Sequence, residues 1–343
     1  MTFKDLTRAV RTRQWAKNAL LFGGFIFAGR LKEATPLLLA DSGRVLMAFA
    51  CFCCLSGSAY LINDWQDLEK DRAHPIKRNR PLASGRVSLR TAFALLVVLL
   101  FLGLALGIAV EMSAPGTWGF GVAALYYFAH TLAYSFRLKH EVIIDVLALA
   151  AGFLVRVVAG CLAVPVVISP WILFCTFNLA LFVGLNKRRA ELLEVGESGT
   201  TRKVLQGYSV PMLDTFIAVA AGLTIISYSL YTFNAPHTKT LGAQLGETPL
   251  LMLSIPFVVY GVFRFLLLAH SSPVGGEPEQ MLRDRPMIIN ALLWVLLVSL
   301  LTLSEGPFEK ARALPDQAAA LQGGPINDPS RGPTVSRPRG LTP

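Results

Sequence analysis

The sequence predicts an all-α, polytopic membrane protein of about nine transmembrane helices, and three observations carry that prediction. The 343 residues are 53% hydrophobic and only 16% charged, with a mean hydropathy of +0.52, against roughly 25% charged residues in soluble domains. Uncharged apolar runs recur from Thr91 to Val110, Thr117 to Phe136, Val166 to Asn186, Thr215 to Phe233, Pro249 to Val262 and Pro286 to Ser304. Most have the roughly 20 residues that cross about 30 Å of hydrocarbon as a helix. The runs are also continuously apolar and rich in Leu, Ala and Phe, where strands of a membrane barrel would alternate.

Three interrupted windows complete the nine: Asn18 to Gly29, which is short; Val45 to Ile62; and Val142 to Leu162, which carries Asp145 and Arg156. Residues 18–304 therefore read as the transmembrane domain. Residues 1–17 are too charged for a cleavable signal, and no small-residue cleavage site follows. With Phe3, Leu6 and Val10 on one helical face, they read as a cytoplasmic interfacial segment. Residues 305–343 interleave Pro with Gly, Ser and Arg and lack an apolar face, which predicts a disordered tail.

A formal net charge of +10 would suit nucleic acid only if one basic face lay on a soluble module. Here the charges fall between apolar spans, so topology explains them and no nucleic-acid partner is expected. With the N-terminus inside, the cytoplasmic segments hold 21 of the 32 Lys and Arg. The positive-inside rule thus orients the chain in the cell membrane, with the N-terminus in the cytoplasm. Cys51, Cys53, Cys54, Cys161 and Cys175 all sit in apolar spans, which supports neither a disulfide framework nor a zinc site. No glycine-rich nucleotide loop is present.

The chemistry concentrates in Asn63-Asp64-Trp65-Gln66-Asp67-Leu68-Glu69-Lys70-Asp71, running straight off the second span. Asp64, Asp67 and Asp71 recur at i, i+3 and i+7, so a helix projects them from one face. Three anions in one stripe need a counter-charge. Hard oxygen ligands at a helix end suit Mg²⁺, which keeps waters and bridges to substrate phosphates. Lys77, Arg78, Arg80 and Arg86 follow in a loop that Pro75 and Pro81 keep from being helical. Carboxylates with a metal, then a basic loop, make a device for a polyphosphate; the same cations could instead anchor lipid headgroups.

The segment Asn63-Asp64-x-x-Asp67-x-x-x-Asp71, then His74-Pro75-x-Lys77-x-x-Arg80-Pro81-x-Ala83-Ser84-Gly85, resembles the first aspartate-rich motif of the UbiA superfamily of intramembrane prenyltransferases. Within that superfamily, Arg13-Gln14-Trp15-Ala16-Lys17-Asn18, Tyr134-Ser135-Phe136-Arg137-Leu138-Lys139, Gly152-Phe153-Leu154-Val155-Arg156, Lys187-Arg188-Arg189-Ala190-Glu191-Leu192 and Leu282-Arg283-Asp284-Arg285-Pro286 resemble the decaprenyl-phosphate phosphoribosyltransferase branch. The resemblance covers nearly everything from Arg11 to Ser304. It implies a donor, 5-phosphoribosyl 1-diphosphate, an acceptor, a polyprenyl phosphate, and a product for arabinan precursor synthesis. Where ordinary prenyltransferases carry a second aspartate-rich motif, in the loop after the sixth span, this chain reads Asn186-Lys187-Arg188-Arg189-Ala190-Glu191. That basic replacement fits a donor with an additional 5-phosphate.

The expected site follows. Asp64, Asp67 and Asp71 are the catalytic carboxylates and Mg²⁺ ligands. Lys77, Arg80, Lys139, Lys187 and Arg188 contact phosphate, with Asn63, Asp145 and Glu191 as supporting ligands or orienters. Lys17 either reaches a phosphate or snorkels to the interface. Ionisable groups inside spans are functional by default: Asp145 adds a ligand or holds Lys139, and Arg156, about 16 Å deeper along the helix, meets an anion or a polar partner on another helix. Two other readings stand beside this one: a UbiA-type prenyltransferase using a prenyl diphosphate and an aromatic or lipid acceptor, and a non-catalytic carrier of phosphorylated solutes. Oligomeric state, including a homo-oligomer, is left open.

Overall fold

The computed structural model describes residues 2–27, 35–73, 77–113, 119–164, 166, 169–198, 203–234, 240–241, 248–271 and 284–303. The predicted tail, His74, Pro75 and Arg283 lie outside the described residues. Residues Met1–Leu303 form one compact unit. Its helices are α1 (Phe3–Ala9), a 3₁₀ segment (Thr12–Leu21), α2 (Phe22–Phe27), α3 (Thr35–Gln66), α4 (Leu68–Ala73), α5 (Leu89–Ser113), α6 (Gly119–Phe136), α7 (Ile144–Ala163), α8 (Pro170–Ser198), α9 (Val210–Asn234), α10 (Ile255–Ser271) and α11 (Arg285–Leu303). The strands described are one two-residue antiparallel pair, Thr240–Leu241 with Thr248–Pro249.

Among the described residues, six helices are long and apolar enough to cross a membrane: Pro36–Gln66, Leu89–Ser113, Ile144–Ala163, Pro170–Glu194, Val210–Phe233 and Leu250–Ser271. The protein is thus a multi-pass membrane protein, but length and hydropathy do not reach the nine spans expected. The helix α6 is apolar apart from Tyr126, Tyr127, His130, Thr131, Tyr134 and Ser135, of which all but Tyr126 line the cavity described below. The first window is not one helix at all. It divides into the 3₁₀ segment and the six-residue α2, and inside it the buried Asn18 donates to Ser56 Oγ at 3.3 Å and Cys53 Sγ at 3.4 Å. The large apolar side chains of α5, among them Phe93, Val98, Phe101 and Leu104, are exposed, as a lipid-facing helix requires.

Two cores meet at α7. Leu21, Ala48, Phe52, Val110, Phe120, Tyr127 and Ala159 form one; Val146, Phe182, Leu185, Leu213, Ile217, Val262 and Phe265 form the other. Close approach fixes the first window against α7: a Cβ on Gly160 would collide with the Leu21 backbone oxygen. Gly160→Ala is therefore expected to destabilise the protein by about 1–3 kcal/mol, a usual cost of overpacking, seen as a lower melting temperature in detergent. Gly222→Ala on α9, where a Cβ meets nothing within 4 Å, is the control; equal melting temperatures for the two variants would contradict the packing.

One boundary matters for the site. At 29 residues, α8 is roughly 44 Å long, against about 30 Å of hydrocarbon. Residues 187–191 consequently lie on a helix that runs on past the apolar stretch. The expected loop after the sixth span is corrected to a helical extension.

The α1 segment docks by its C-terminal end. Ala9 and Val10 are buried against Leu61, Leu82 and Val87, whereas Phe3 is exposed.

Candidate active site

Where α3 runs out, the backbone stays helical through Asp67, whose N–H donates to Asn63 O at 2.9 Å; the N–H of Asp71 in turn donates to Asp67 O at 2.8 Å. The three aspartates keep their helical spacing but meet different partners. Asp64 and Asp71 are buried and share Arg80, whose Nη1 donates to Asp71 Oδ2 at 2.6 Å and Asp64 Oδ1 at 3.2 Å. Arg11 also binds Asp64 Oδ1. Asp67 takes Lys139, whose Nζ lies 3.3 Å from Asp67 Oδ2 and 3.4 Å from Asn63 Oδ1. The three carboxylates do not converge on one another: among the described residues no three carboxylate, His or Cys groups gather at metal-binding spacing. Two oxygen pairs are present instead, Asn63 with Asp67 and Asp64 with Asp71. Each already converges on one cationic nitrogen.

Beside these pairs opens a cavity of about 230 Å³ between α3, α6, α7 and the N-terminal segments. Of the expected residues, Lys17, Asn63, Asp67, Lys77, Arg80, Lys139 and Arg156 line it. Asp64 and Asp71 stand behind the wall, holding Arg11 and Arg80 in place. Arg11 also lines the cavity and caps the Tyr60 ring at 4.7 Å. It does so from a left-handed backbone with φ of 53°, a conformation costing a non-glycine residue about 1–3 kcal/mol.

Asp145, Arg188, Glu191 and Lys187 are placed elsewhere. Asp145, fully buried, accepts from Arg188 Nε at 2.5 Å and from the Tyr208 hydroxyl at 2.7 Å. It does not hold Lys139. Arg188, also buried, donates in addition to Glu191 Oε2 at 2.6 Å and Tyr134 OH at 3.1 Å. Arg188 lies outside the cavity lining, and its two carboxylate partners make it a tie between α7 and α8. Glu191 is the second arm of that tie, and Lys187 is exposed outside the cavity lining. Ile143, with φ of 70°, directs its N–H to Tyr208 OH at 2.6 Å, setting the turn that delivers Asp145. Burial pushes the Tyr208 phenol up from its ordinary range, and its bond to Asp145 adds to the shift. In the last motif Asp284 is likewise structural: it accepts from Met287 N at 3.0 Å at the start of α11 and from Arg264 Nη2 at 2.8 Å.

Sequence reasoning missed Arg11, Asn18, Tyr60, Tyr127, His130 and Tyr134. A signal for three of them was legible: Tyr127, His130 and Tyr134 follow the same i, i+3, i+7 spacing as the aspartates, a polar stripe on an otherwise apolar helix. All three line the cavity. His130 Nε2 donates to Ala148 O at 2.8 Å, because a carbonyl can only accept.

Comparison with known proteins places this geometry in a lineage. The sequence pattern of the UbiA prenyltransferase family matches residues 21–189. The decaprenyl-phosphate phosphoribosyltransferase of Mycolicibacterium smegmatis is 33% identical over 305 residues, covering 84% of this chain and 90% of that protein. The protein of the same name from Corynebacterium glutamicum is 30% identical, covering 85% of each chain. A solved UbiA homolog from Archaeoglobus fulgidus, bound to GPP and Mg²⁺, shares the fold with a TM-score of 0.61 at 18% identity, over 88% of this chain and 100% of that one.

Proposed function

The chain belongs to the UbiA prenyltransferase family, and on that premise we propose that it transfers 5-phosphoribose from 5-phosphoribosyl 1-diphosphate to a polyprenyl phosphate. One observation carries the proposal: six basic side chains line the cavity, Arg11, Lys17, Lys77, Arg80, Lys139 and Arg156, against one lining carboxylate, Asp67, and two behind the wall, Asp64 and Asp71. Such an excess calls for a ligand with several negative charges. A donor phosphorylated at both ends of a polar sugar supplies them, where a prenyl diphosphate supplies charge at one end only. The names of the relatives point the same way.

The residues fit Mg²⁺. Four hard oxygen donors, Asn63, Asp64, Asp67 and Asp71, already meet cations in two pairs, and Mg²⁺ needs only one or two carboxylates when phosphates and waters complete its shell. Of these, the pair lining the cavity, Asn63 and Asp67, would hold the ion, which when bound would neutralise diphosphate oxygens and assist diphosphate departure. Lys139, which bonds Asp67 and Asn63 at the cavity, would offer its charge to the leaving diphosphate. Arg80 and Arg11, anchored by the buried Asp64 and Asp71, bind the remaining phosphate oxygens. Tyr60, Tyr127 and Phe153 give the sugar an apolar wall that limits water at the developing oxocarbenium carbon. The acceptor phosphate is anionic at neutral pH, so attack on that carbon needs no general base. The positive-inside rule turns this mouth to the cytoplasm, in a chain seated in the cell membrane.

Purified protein with Mg²⁺ is expected to convert radiolabelled phosphoribosyl diphosphate and polyprenyl phosphate into a lipid-soluble phosphoribosyl product. Transfer from a prenyl diphosphate to an aromatic acceptor, with no reaction of the sugar donor, would overturn the reading. Uptake of donor into sealed vesicles without product would instead favour a carrier.

A further inference from the structure

We propose that the floor of the cavity is a second phosphate subsite built on Arg156, and that it selects a substrate by a phosphate remote from the departing diphosphate. The inference rests on the phosphoribosyl-transfer reading and deepens it.

Arg156 is only 9% exposed and lines the cavity. Its three described hydrogen bonds all go to neutral acceptors. Nε donates to Asn18 Oδ1 at 2.9 Å, Nη1 to Gly152 O at 2.7 Å and Nη2 to Tyr127 OH at 2.8 Å. The rings of Tyr127 and Phe153 lie 4.7 and 5.4 Å from the guanidinium carbon. No described carboxylate pairs with it. A buried charge without a counter-ion is costly; Arg188, buried in the same bundle, meets two carboxylates, whereas Arg156 meets only neutral groups among the described residues. Of the five guanidinium N–H groups, one on each terminal nitrogen is left for a ligand. Tyr127, accepting from Arg156, keeps its own proton to donate.

The surroundings hold the group in that state. Asn18 is oriented by Ser56 and Cys53, which receive its amide hydrogens, so its oxygen is committed to Arg156. At Gly152 a Cβ would meet Arg156 Nη1 at 3.7 Å and His130 Nε2 at 3.8 Å; its absence keeps the floor open between the two side chains. The anion that answers Arg156 is a phosphate monoester, and two sources carry one: the 5-phosphate of the donor and the headgroup of the lipid acceptor.

The test uses full-length protein in nanodiscs with Mg²⁺. Wild type is compared with Arg156→Gln, Arg156→Lys and the isosteric Asn18→Asp, which gives Arg156 an internal counter-ion without changing packing. KM is measured for phosphoribosyl diphosphate, for ribosyl 1-diphosphate and for polyprenyl phosphate, with equilibrium binding of labelled donor and melting temperature recorded alongside. Arg156→Gln and Asn18→Asp are each expected to weaken one substrate by roughly 10- to 100-fold, the worth of a charge-assisted contact, and Arg156→Lys to recover part of it. A raised donor KM, weaker donor binding and a lost preference for phosphoribosyl over ribosyl diphosphate place the donor 5-phosphate on the floor. A raised polyprenyl phosphate KM with that preference intact places the lipid headgroup there. Unchanged KM for both substrates in Asn18→Asp, with normal melting and wild-type turnover of phosphoribosyl diphosphate, overturns the subsite and leaves the transfer reaction standing. No turnover of that donor by wild type overturns the reaction, and the subsite with it.

Discussion

Arg188→Ala is expected to lose the folded protein rather than its grip on a substrate. The substitution leaves Asp145, fully buried on α7, with the Tyr208 hydroxyl as its one remaining described partner, and cuts the tie to Glu191 and Tyr134. Removing one member of a buried ion pair costs about 3–5 kcal/mol, because the surviving charge stays desolvated. Melting in detergent and the yield of monodisperse protein measure it. Replacing both members, as in Asp145→Leu with Arg188→Met, is expected to recover much of the loss, since an apolar pair of similar volume avoids the stranded charge. Lys187→Ala, next in sequence but exposed, is expected to change neither stability nor donor affinity. A well-folded Arg188→Ala protein that no longer binds donor would return Arg188 to the phosphate role its motif suggests.

Asp67→Asn acts in the opposite sense, on turnover and not on the fold. The side chain is about 20% exposed and bonds to Lys139 across the cavity mouth, so an isosteric amide disturbs little packing. What it removes is the one carboxylate lining the cavity, together with the charge that offsets Lys139. Losing one preorganised electrostatic contact in a reacting site costs on the order of 10²–10³ in kcat. Mg²⁺-dependent product formation should fall by at least that much with the melting temperature unchanged; near-wild-type activity would sink the assignment of Asp67.

Part of the site was legible because it follows from a single helix. Once Val45 to Ile62 reads as a span, Asp64, Asp67 and Asp71 must fall at its end on one face, whatever they later meet. Lys77 and Arg80 follow within a few residues and could hardly be far away. Arg156 was flagged by cost alone, as a charge in an apolar window. In each case local periodicity or desolvation set the answer, and four of these six residues line the cavity.

Pairing was not legible. Arg188 reaches Asp145 across 43 residues and Arg11 reaches Asp64 across 53, and nothing in a basic motif says whether its guanidinium faces a ligand or a carboxylate of its own chain.

By itself, then, the sequence determined the membrane, the helices and the anionic chemistry at one mouth, since hydropathy and helical period act within one element. Only the tertiary structure decided which buried cation meets carboxylates of its own chain and which meets neutral groups. Arg188 and Arg156 are chemically identical, and packing alone set two carboxylates beside the first and, among the described residues, only neutral groups beside the second. The physical reason is that a charge is silenced by what lies within a few ångströms of it, and those neighbours come from helices far apart in the chain.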